Sequence, residues 1–261
     1  VQRTAWGRRS VRRFVAGDTI GAAVAAAEGM RALGYLATLD RLGEASVGAR
    51  ADTYAADAVT LLRAQAAAGL EPNVSVKLTA LGLAEGRAAA RLDEILRVAR
   101  EVRGFVRVDA EHPESLDALH EIVLAARSVG LPVGTVLQAN MRRSGRDLDR
   151  LVAAGVPLRL VKGAYWDTEI KRSQEAGYDG YPVFTRKDAT DVSYLACARR
   201  LFSAGKAIYP QFATHNAQSV ASILELAGDA TFEFQRLHGM GRVLYDHLLE
   251  SLPNLACRVY A

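Results

Sequence analysis

The sequence predicts an α/β fold: a distorted (βα)8 TIM-like barrel that lacks its final C-terminal helix. Three observations point there. Short apolar runs alternate with longer stretches at helical spacing, the pattern of βαβ units and a parallel sheet. Eight such runs occur in 261 residues, a length that suits one barrel. The Gly-x-Gly-x-x-Gly turn of an open, doubly wound sheet is absent.

The elements follow in order. Residues 1–33 read as an N-terminal arm and helix, the helix being the Ala-rich Thr19–Leu33. The barrel occupies 34–261 and stops directly after strand eight. Its strands are Gly34–Asp40 (GYLATLD), Val74–Leu78 (VSVKL), Phe105–Asp109 (FVRVD) and Val133–Gln138 (VGTVLQ). Leu158–Lys162 (LRLVK), Tyr209–Ala213 (YPQFA), Thr231–Gln235 (TFEFQ) and Ala256–Tyr260 (ACRVY) complete the set. Each is a short run of branched or aromatic residues, and most are bounded by turn or charged residues. Helical spacing marks Ala51–Ala68, Glu85–Val102, Ser115–Ser128, Arg146–Ala153, Ala189–Ser203, Ala217–Ala227 and Arg242–Leu249. Gly163–Asp188 has no period and reads as a long functional loop. Tyr165, Trp166, Tyr178 and Tyr181 argue against disorder there.

Composition excludes several classes. Net charge is +4 and pI about 9.2, but the arginines are spread along the chain. The one cluster, Arg3, Arg8, Arg9, Arg12 and Arg13, reads as a solvated helix face rather than a nucleic-acid or membrane contact. Cys197 and Cys257 have no metal or redox spacing. The composition is that of a cytoplasmic protein, with no signal core and no run of about 18 apolar residues. His112, His120 and His247 show no ligand spacing and read as surface residues, while Trp6 and Tyr245 read as packing. The pair Asp109-x-Glu111 lacks a His or Cys at metal-binding spacing, so no metal is expected.

The strand ends carry the chemistry. They present Asp40 with Glu44, Lys77, Asp109 with Glu111, Gln138 with Asn140, Lys162, Thr214-His215-Asn216, Gln235 and Tyr260. Strand ends meet water, which explains one or two polar residues. Eight in succession, with lysines inside VSVKL and RLVK, instead suggest a functional mouth. Lys77 and Lys162 are candidates either for ion pairs with Asp109 or Glu111 or for a Schiff base. Arg107 and Asp109 share a face and read either as a structural pair or as part of the functional mouth. Gly163 suggests either a turn or close approach of a large group to the backbone. Asn216 is a good N-cap, and the helix behind it offers amides to a phosphate. Cations and amides suit an anionic cofactor, and aromatics suit a flat ring.

The longer motifs are specific. RLVKGAYWDTEIKR (Arg159–Arg172), GYPVFTRK (Gly180–Lys187), TDVSYLACARRL (Thr190–Leu201), YPQFATHN (Tyr209–Asn216) and FEFQRLHGMG (Phe232–Gly241) resemble the flavin-dependent proline dehydrogenase family. The similarity is greatest to the proline dehydrogenase domain of bacterial bifunctional proline utilization A proteins. VSVKLTALG (Val74–Gly82), RVDAE (Arg107–Glu111), VLQAN (Val136–Asn140) and LDRLGE (Leu39–Glu44) fit in the same order, and RRFVAG (Arg12–Gly17) resembles the monofunctional branch.

The resemblance implies a barrel holding FAD at its strand C-termini and oxidising L-proline to Δ1-pyrroline-5-carboxylate. Hydride goes to flavin N5, and electrons pass to a membrane quinone. It implies cofactor contacts from Gln138, Arg159, Val161, Lys162, Gly163, Ala164 and Trp166, with Gly163 letting the cofactor lie against the backbone. Thr185, Arg186, Lys187, Thr214, His215 and Asn216 would take the pyrophosphate and ribose, and Gln235 and Leu237 would line the flavin site. Substrate contacts would come from Lys77, Asp109, Leu160, Tyr165, Leu237 and Tyr260, with Glu44 at the rim. Lys77, Asp109, Arg159, Tyr165 and Tyr260 are the catalytic candidates. A pyrroline-5-carboxylate (glutamate-semialdehyde) dehydrogenase domain or partner is implied, as is a peripheral position on the cytoplasmic membrane.

Two departures stand out. The family has an aromatic where this chain has Asn140, and the Arg-Arg-x-x-Glu segment of the family's last helix has no match here. One ammonium, Lys77, grips a carboxylate less well than two guanidiniums. Weak FAD binding and low turnover are therefore expected of these residues. The rival readings are a Schiff-base lyase or aldolase using Lys77 or Lys162, and a catalytically silent barrel module.

Overall fold

The computed structural model describes residues 14–205 and 208–261. The arginine cluster and Trp6 lie outside the described residues. Eight strands close in chain order into a barrel: β1 (Leu36–Asp40), β2 (Asn73–Val76), β3 (Phe105–Val108), β4 (Val133–Gln138), β5 (Leu158–Val161), β6 (Gln211–Ala213), β7 (Glu233–Leu237) and β8 (Ala256–Tyr260). Pairing is parallel, with Leu39 beside Val74, Leu36 beside Arg258 and Gln138 beside Val161. The helices are α1 (Ile20–Ala32), α2 (Ala49–Ala67), α3 (Ala88–Glu101), α4 (Leu116–Ser128), α5 (Ser144–Ala153), α6 (Trp166–Glu175), α7 (Lys187–Ser203), α8 (Ala217–Ala227) and α9 (Arg242–Ser251).

The described chain packs as two compact units, residues 14–107 with 234–261, and Val108–Glu233. In the first, β8 zips onto β1: Ala261 N donates to Thr38 O at 2.9 Å, and Asp40 N donates to Ala261 O at 2.7 Å. Thr19 caps α1 by accepting from Ala22 N, so this helix starts where its sequence predicts. Leu92, Ile95, Leu96 and Ala99 recur at helical spacing on α3, and all are buried. Each large member of that stripe contributes roughly 1.5–3 kcal/mol by leaving water. Truncating Ile95 to Ala would cost on the order of 2–5 kcal/mol.

In the second unit every residue of β4 is buried. Leu119 and Val123 of α4, Leu148 and Leu151 of α5, and Tyr194 and Leu201 of α7 are also buried. Phe202, Phe212 and Phe232 form a cluster with ring centroids 5.0–5.7 Å apart. These interlocked side chains set the rigid frame on which the strand ends are presented.

Several expectations are corrected. The aperiodic stretch Gly163–Asp188 contains a helix, α6. Its inward residues, Glu169 and Ser173, are polar, so no apolar stripe announces it. Strand β7 runs two residues later than predicted, which puts Gln235 in mid-strand and Leu237 at its end. Strand β6 starts after Pro210, which has no amide to pair in a ladder. Glu85 belongs to a short 3-10 turn, Leu83–Glu85, which Gly86 at φ +69° stops before α3 begins. His120 is not a surface residue: it is 1% exposed, because its face of α4 turns inward.

Candidate active site

At the ends of β1, β2 and β8 the first unit gathers three predicted or flanking site residues. Asp40 Oδ2 accepts from the Lys77 ammonium at 2.7 Å and from the Tyr260 hydroxyl at 2.6 Å. Lys77 Nζ also lies 3.5 Å from the Tyr260 oxygen. The Asp40 side chain is 3% exposed and that of Lys77 12%. The carboxylate is acceptor-only, so the short bond to Tyr260 carries the tyrosine's own proton. The Tyr260 oxygen therefore faces its other neighbours as an acceptor. Asp40 stood among the polar strand ends in the sequence but was not assigned to the site.

Asp40, Leu237 and Tyr260 border a cavity of about 1090 Å³ within this unit, whose far wall is Phe14–Ile20 and the start of α1. Leu237 is 44% exposed and gives the cavity an apolar side. His238 is beside it, and burial and then the nearby Arg236 hold its imidazole below the ordinary range. Glu44 is exposed beyond β1.

The second unit holds the other group. From mid-β5, Arg159 Nη1 donates to Asp109 Oδ1 at 3.0 Å, and both side chains are almost fully buried. Leu160 is buried beside it. Just past β5, Lys162 Nζ sits 2.5 Å from Asp191 Oδ1 on α7 and 5.7 Å from the buried Tyr194 ring. Lys187 reaches the other oxygen of the same carboxylate. Burial alone would raise the Asp191 carboxyl, but its bonds to Lys162 and Lys187 outweigh that and hold it below the usual range. Asp191 was missed by sequence reading; the i,i+4 spacing to Lys187 is its one visible sign.

Gln138 and Asn140 follow one another at i, i+2 from the end of β4. Gln138 Nε2 donates to Glu111 O at 2.8 Å. Asn140 is anchored by its backbone, N–H to Lys162 O and O from Phe184 N–H, each at 2.8 Å. Gly163 has φ +121°, and a Cβ there would stand 2.2–2.4 Å from Oδ1, Cγ and Nδ2 of Asn140. The glycine thus makes room for the face of the Asn140 amide, a reason the sequence did not offer.

Tyr165 ends its loop as the N-cap of α6, and its ring centroid lies 4.7 Å from that of His112. His112 Nδ1 meets Glu169 Oε1 at 2.7 Å, so His112 is an anchor for α6 rather than a free surface residue. Trp166 Nε1 donates to Phe184 O at 2.8 Å, and Ala164 is exposed. Thr185, Arg186 and Lys187 lie exposed at the start of α7, with Arg186 paired to Asp188. At the start of α8, Thr214 is buried while His215 and Asn216 are exposed. Asn216 Oδ1 accepts from Ser219 N at 2.9 Å, the cap that the sequence predicts. Val161 is half-buried at the end of β5, and Gln235 is buried in β7.

A flavin fits these groups. Gln138 Oε1 and both polar atoms of the Asn140 amide are buried without a hydrogen-bond partner, which leaves open valences for a polar ring. The α7 N-terminus has no side-chain cap and carries two exposed cations, a combination suited to a pyrophosphate. Their ion pairs with Asp188 and Asp191 are exposed enough to exchange cheaply. Among the described residues no helix is long and apolar enough to cross a membrane.

Comparison with known proteins agrees. The family model described as proline dehydrogenase matches residues 23–261. The bifunctional protein PutA of Klebsiella aerogenes is 38% identical over 284 residues, covering 95% of this chain and 22% of that protein. Proline dehydrogenase 1 of Bacillus subtilis is 31% identical over 241 residues, covering 89% of this chain and 76% of that protein. A crystal structure of Bradyrhizobium japonicum proline utilization A superposes with a TM-score of 0.86 at 35% identity, over 97% of this chain and 29% of the other. The chain thus spans about a fifth of the bifunctional relatives it matches. With this coverage, and with the motif residues on the strand ends of a closed barrel, the chain belongs to the proline dehydrogenase family.

Proposed function

We propose that these residues form an FAD-dependent proline dehydrogenase site that converts L-proline to Δ1-pyrroline-5-carboxylate. The observation that carries this reading is the span of the family match, residues 23–261, which takes in every strand end described above. FAD, when bound, supplies the two-electron acceptor for the hydride that leaves proline C5.

The chain's own residues do the rest. Lys77 offers its ammonium to the proline carboxylate, and Asp40 fixes the direction from which it is offered. Leu237 and Tyr260 shape the cavity wall against which the apolar ring rests. Arg159, held by Asp109, is a preorganised cation in a nearly dry position, where charge stabilisation is strongest. Gln138 orients the ring, and the amides and cations opening α7 and α8 hold the phosphates. Tyr165, buttressed by His112, fixes the entry to α6. A membrane quinone takes the electrons, and a pyrroline-5-carboxylate dehydrogenase consumes the product. The site faces the cytoplasm, at the membrane surface.

An imine-forming lysine needs its amine free to attack a carbonyl. Lys77 and Lys162 are each engaged by a carboxylate, Asp40 at 2.7 Å and Asp191 at 2.5 Å, which favours the flavin reading over the lyase one. The test is to incubate the FAD-loaded chain with L-proline and a quinone and trap the cyclic imine with o-aminobenzaldehyde. Coloured adduct in step with quinone reduction supports the reading; covalent borohydride trapping of a carbonyl substrate on lysine, without adduct, overturns it.

A further inference from the structure

Asn140 lies in the turn that follows β4. Its side chain is 2% exposed, and neither Oδ1 nor Nδ2 has a hydrogen-bond partner. Gln138 Oε1, two residues earlier at the end of β4, is also buried and unpartnered. Three such atoms within three residues are uncommon, because each stranded polar atom costs free energy that a partner would recover. The orientation of the amide is also informative. A Cβ on Gly163 would be nearly equidistant from Oδ1, Cγ and Nδ2, at 2.2, 2.3 and 2.4 Å. Gly163 therefore covers the flat face of the amide and leaves its hydrogen-bonding edge directed elsewhere. That edge presents one donor and one acceptor side by side. Its complement is a ring bearing a carbonyl next to an N–H. The main-chain bonds of Asn140 to Lys162 and Phe184 hold the residue rigid, so the edge has a fixed direction.

We propose that Asn140 is a second ring-reading amide beside Gln138, and that its edge pairs with the imide (–CO–NH–CO–) end of the flavin. This deepens the flavin reading above and rests on it. The Asn140 amide takes the place of the aromatic that the family resemblance leads one to expect. It supplies a directional contact where an aromatic would supply area. Gly163 then serves the cofactor indirectly, by giving the amide a surface to lie on.

The test uses the chain with FAD and with N3-methyl-FAD, whose imide N–H is blocked. Dissociation constants are read by fluorescence quenching, and melting temperature is read without flavin. The wild type should prefer FAD over the N3-methyl form by about tenfold, roughly one hydrogen bond plus the acceptor it strands. Asn140→Ala should weaken FAD by a similar factor and erase the preference. Its melting temperature without flavin should stay close to the wild type, because deleting two stranded polar atoms offsets the lost packing. Asn140→Asp, which keeps the shape and loses the donor, should also weaken FAD, and it covers the case in which the alanine variant fails to fold. A preference that survives in both variants overturns the proposal. So does unchanged FAD affinity with a clear drop in melting temperature, the signature of an amide satisfied by a buried water. Failure of the wild type to bind either flavin overturns this proposal together with the reading beneath it, whereas FAD binding with no N3-methyl preference sinks only the role of Asn140.

Discussion

Tyr260 donates its hydroxyl to Asp40 across 2.6 Å, joining the last strand to the first through a buried carboxylate. That carboxylate also holds Lys77, so one side chain positions two candidate site residues. Removing one member of a buried charge pair leaves the other uncompensated. Lys77→Met is expected to cost about 3 kcal/mol. The double variant Lys77→Met with Asp40→Asn should cost clearly less than the sum of the single changes. Urea denaturation of all four proteins measures the coupling; strict additivity would show that the contact carries no energy.

Gly163 faces two constraints at once. Its φ of +121° is unfavourable for a side chain, and a Cβ would collide with the Asn140 amide. Gly163→Ala should destabilise the fold by about 2–3 kcal/mol. Adding Asn140→Ala should return part of that loss by removing the collision, though not the backbone strain. Thermal melts of the single and double variants check the partial rescue.

The α6 helix depends on a buried acid. Glu169 is 2% exposed and meets His112 at 2.7 Å. Glu169→Ala should loosen α6 first, because this helix has no apolar stripe to hold it down. Trypsin cleavage after Lys171 and Arg172 should then quicken several-fold while the far-ultraviolet spectrum stays near that of the wild type. Unchanged cleavage would mean that Trp166 and the neighbouring loop suffice.

His120 predicts a pH dependence. Burial lowers its readiness to take a proton, opposed by Asp147 and supported by Arg143 and Arg150. Its folded pKa thus lies below the ordinary value of 6.5, while the unfolded chain titrates near that value. Below that pH the unfolded state binds more protons, so stability falls as pH drops from about 6.5 toward the folded value. His120→Leu should flatten the urea midpoint over this window. A midpoint that falls equally steeply in both proteins would assign the effect to other groups.

The barrel was legible because β4 and β8 are short runs rich in branched and apolar residues and Ala217–Ala227 has clean helical spacing; all three match their predicted bounds. Element ends shifted where proline or a glycine with positive φ intervened, as at Pro210 and Gly86. Helix α6 escaped notice because its buried face is Glu169 and Ser173. The strand-end rule singles out Lys77, Gln138, Lys162 and Tyr260 as candidates. It could not assign Asp40 as the partner of Lys77 and Tyr260, or Asp191 as the partner of Lys162, since pairing depends on strand register and helix packing. Nor could it show that the Asn140 amide packs against Gly163.

The central claim is that these strand ends hold a flavin that oxidises proline. Its most direct test is the visible spectrum of the FAD-loaded chain, recorded anaerobically before and after L-proline is added. The expected result is loss of the flavin absorption band, restored when a quinone is admitted. A band that persists through prolonged exposure to saturating L-proline, with FAD demonstrably bound, would contradict it.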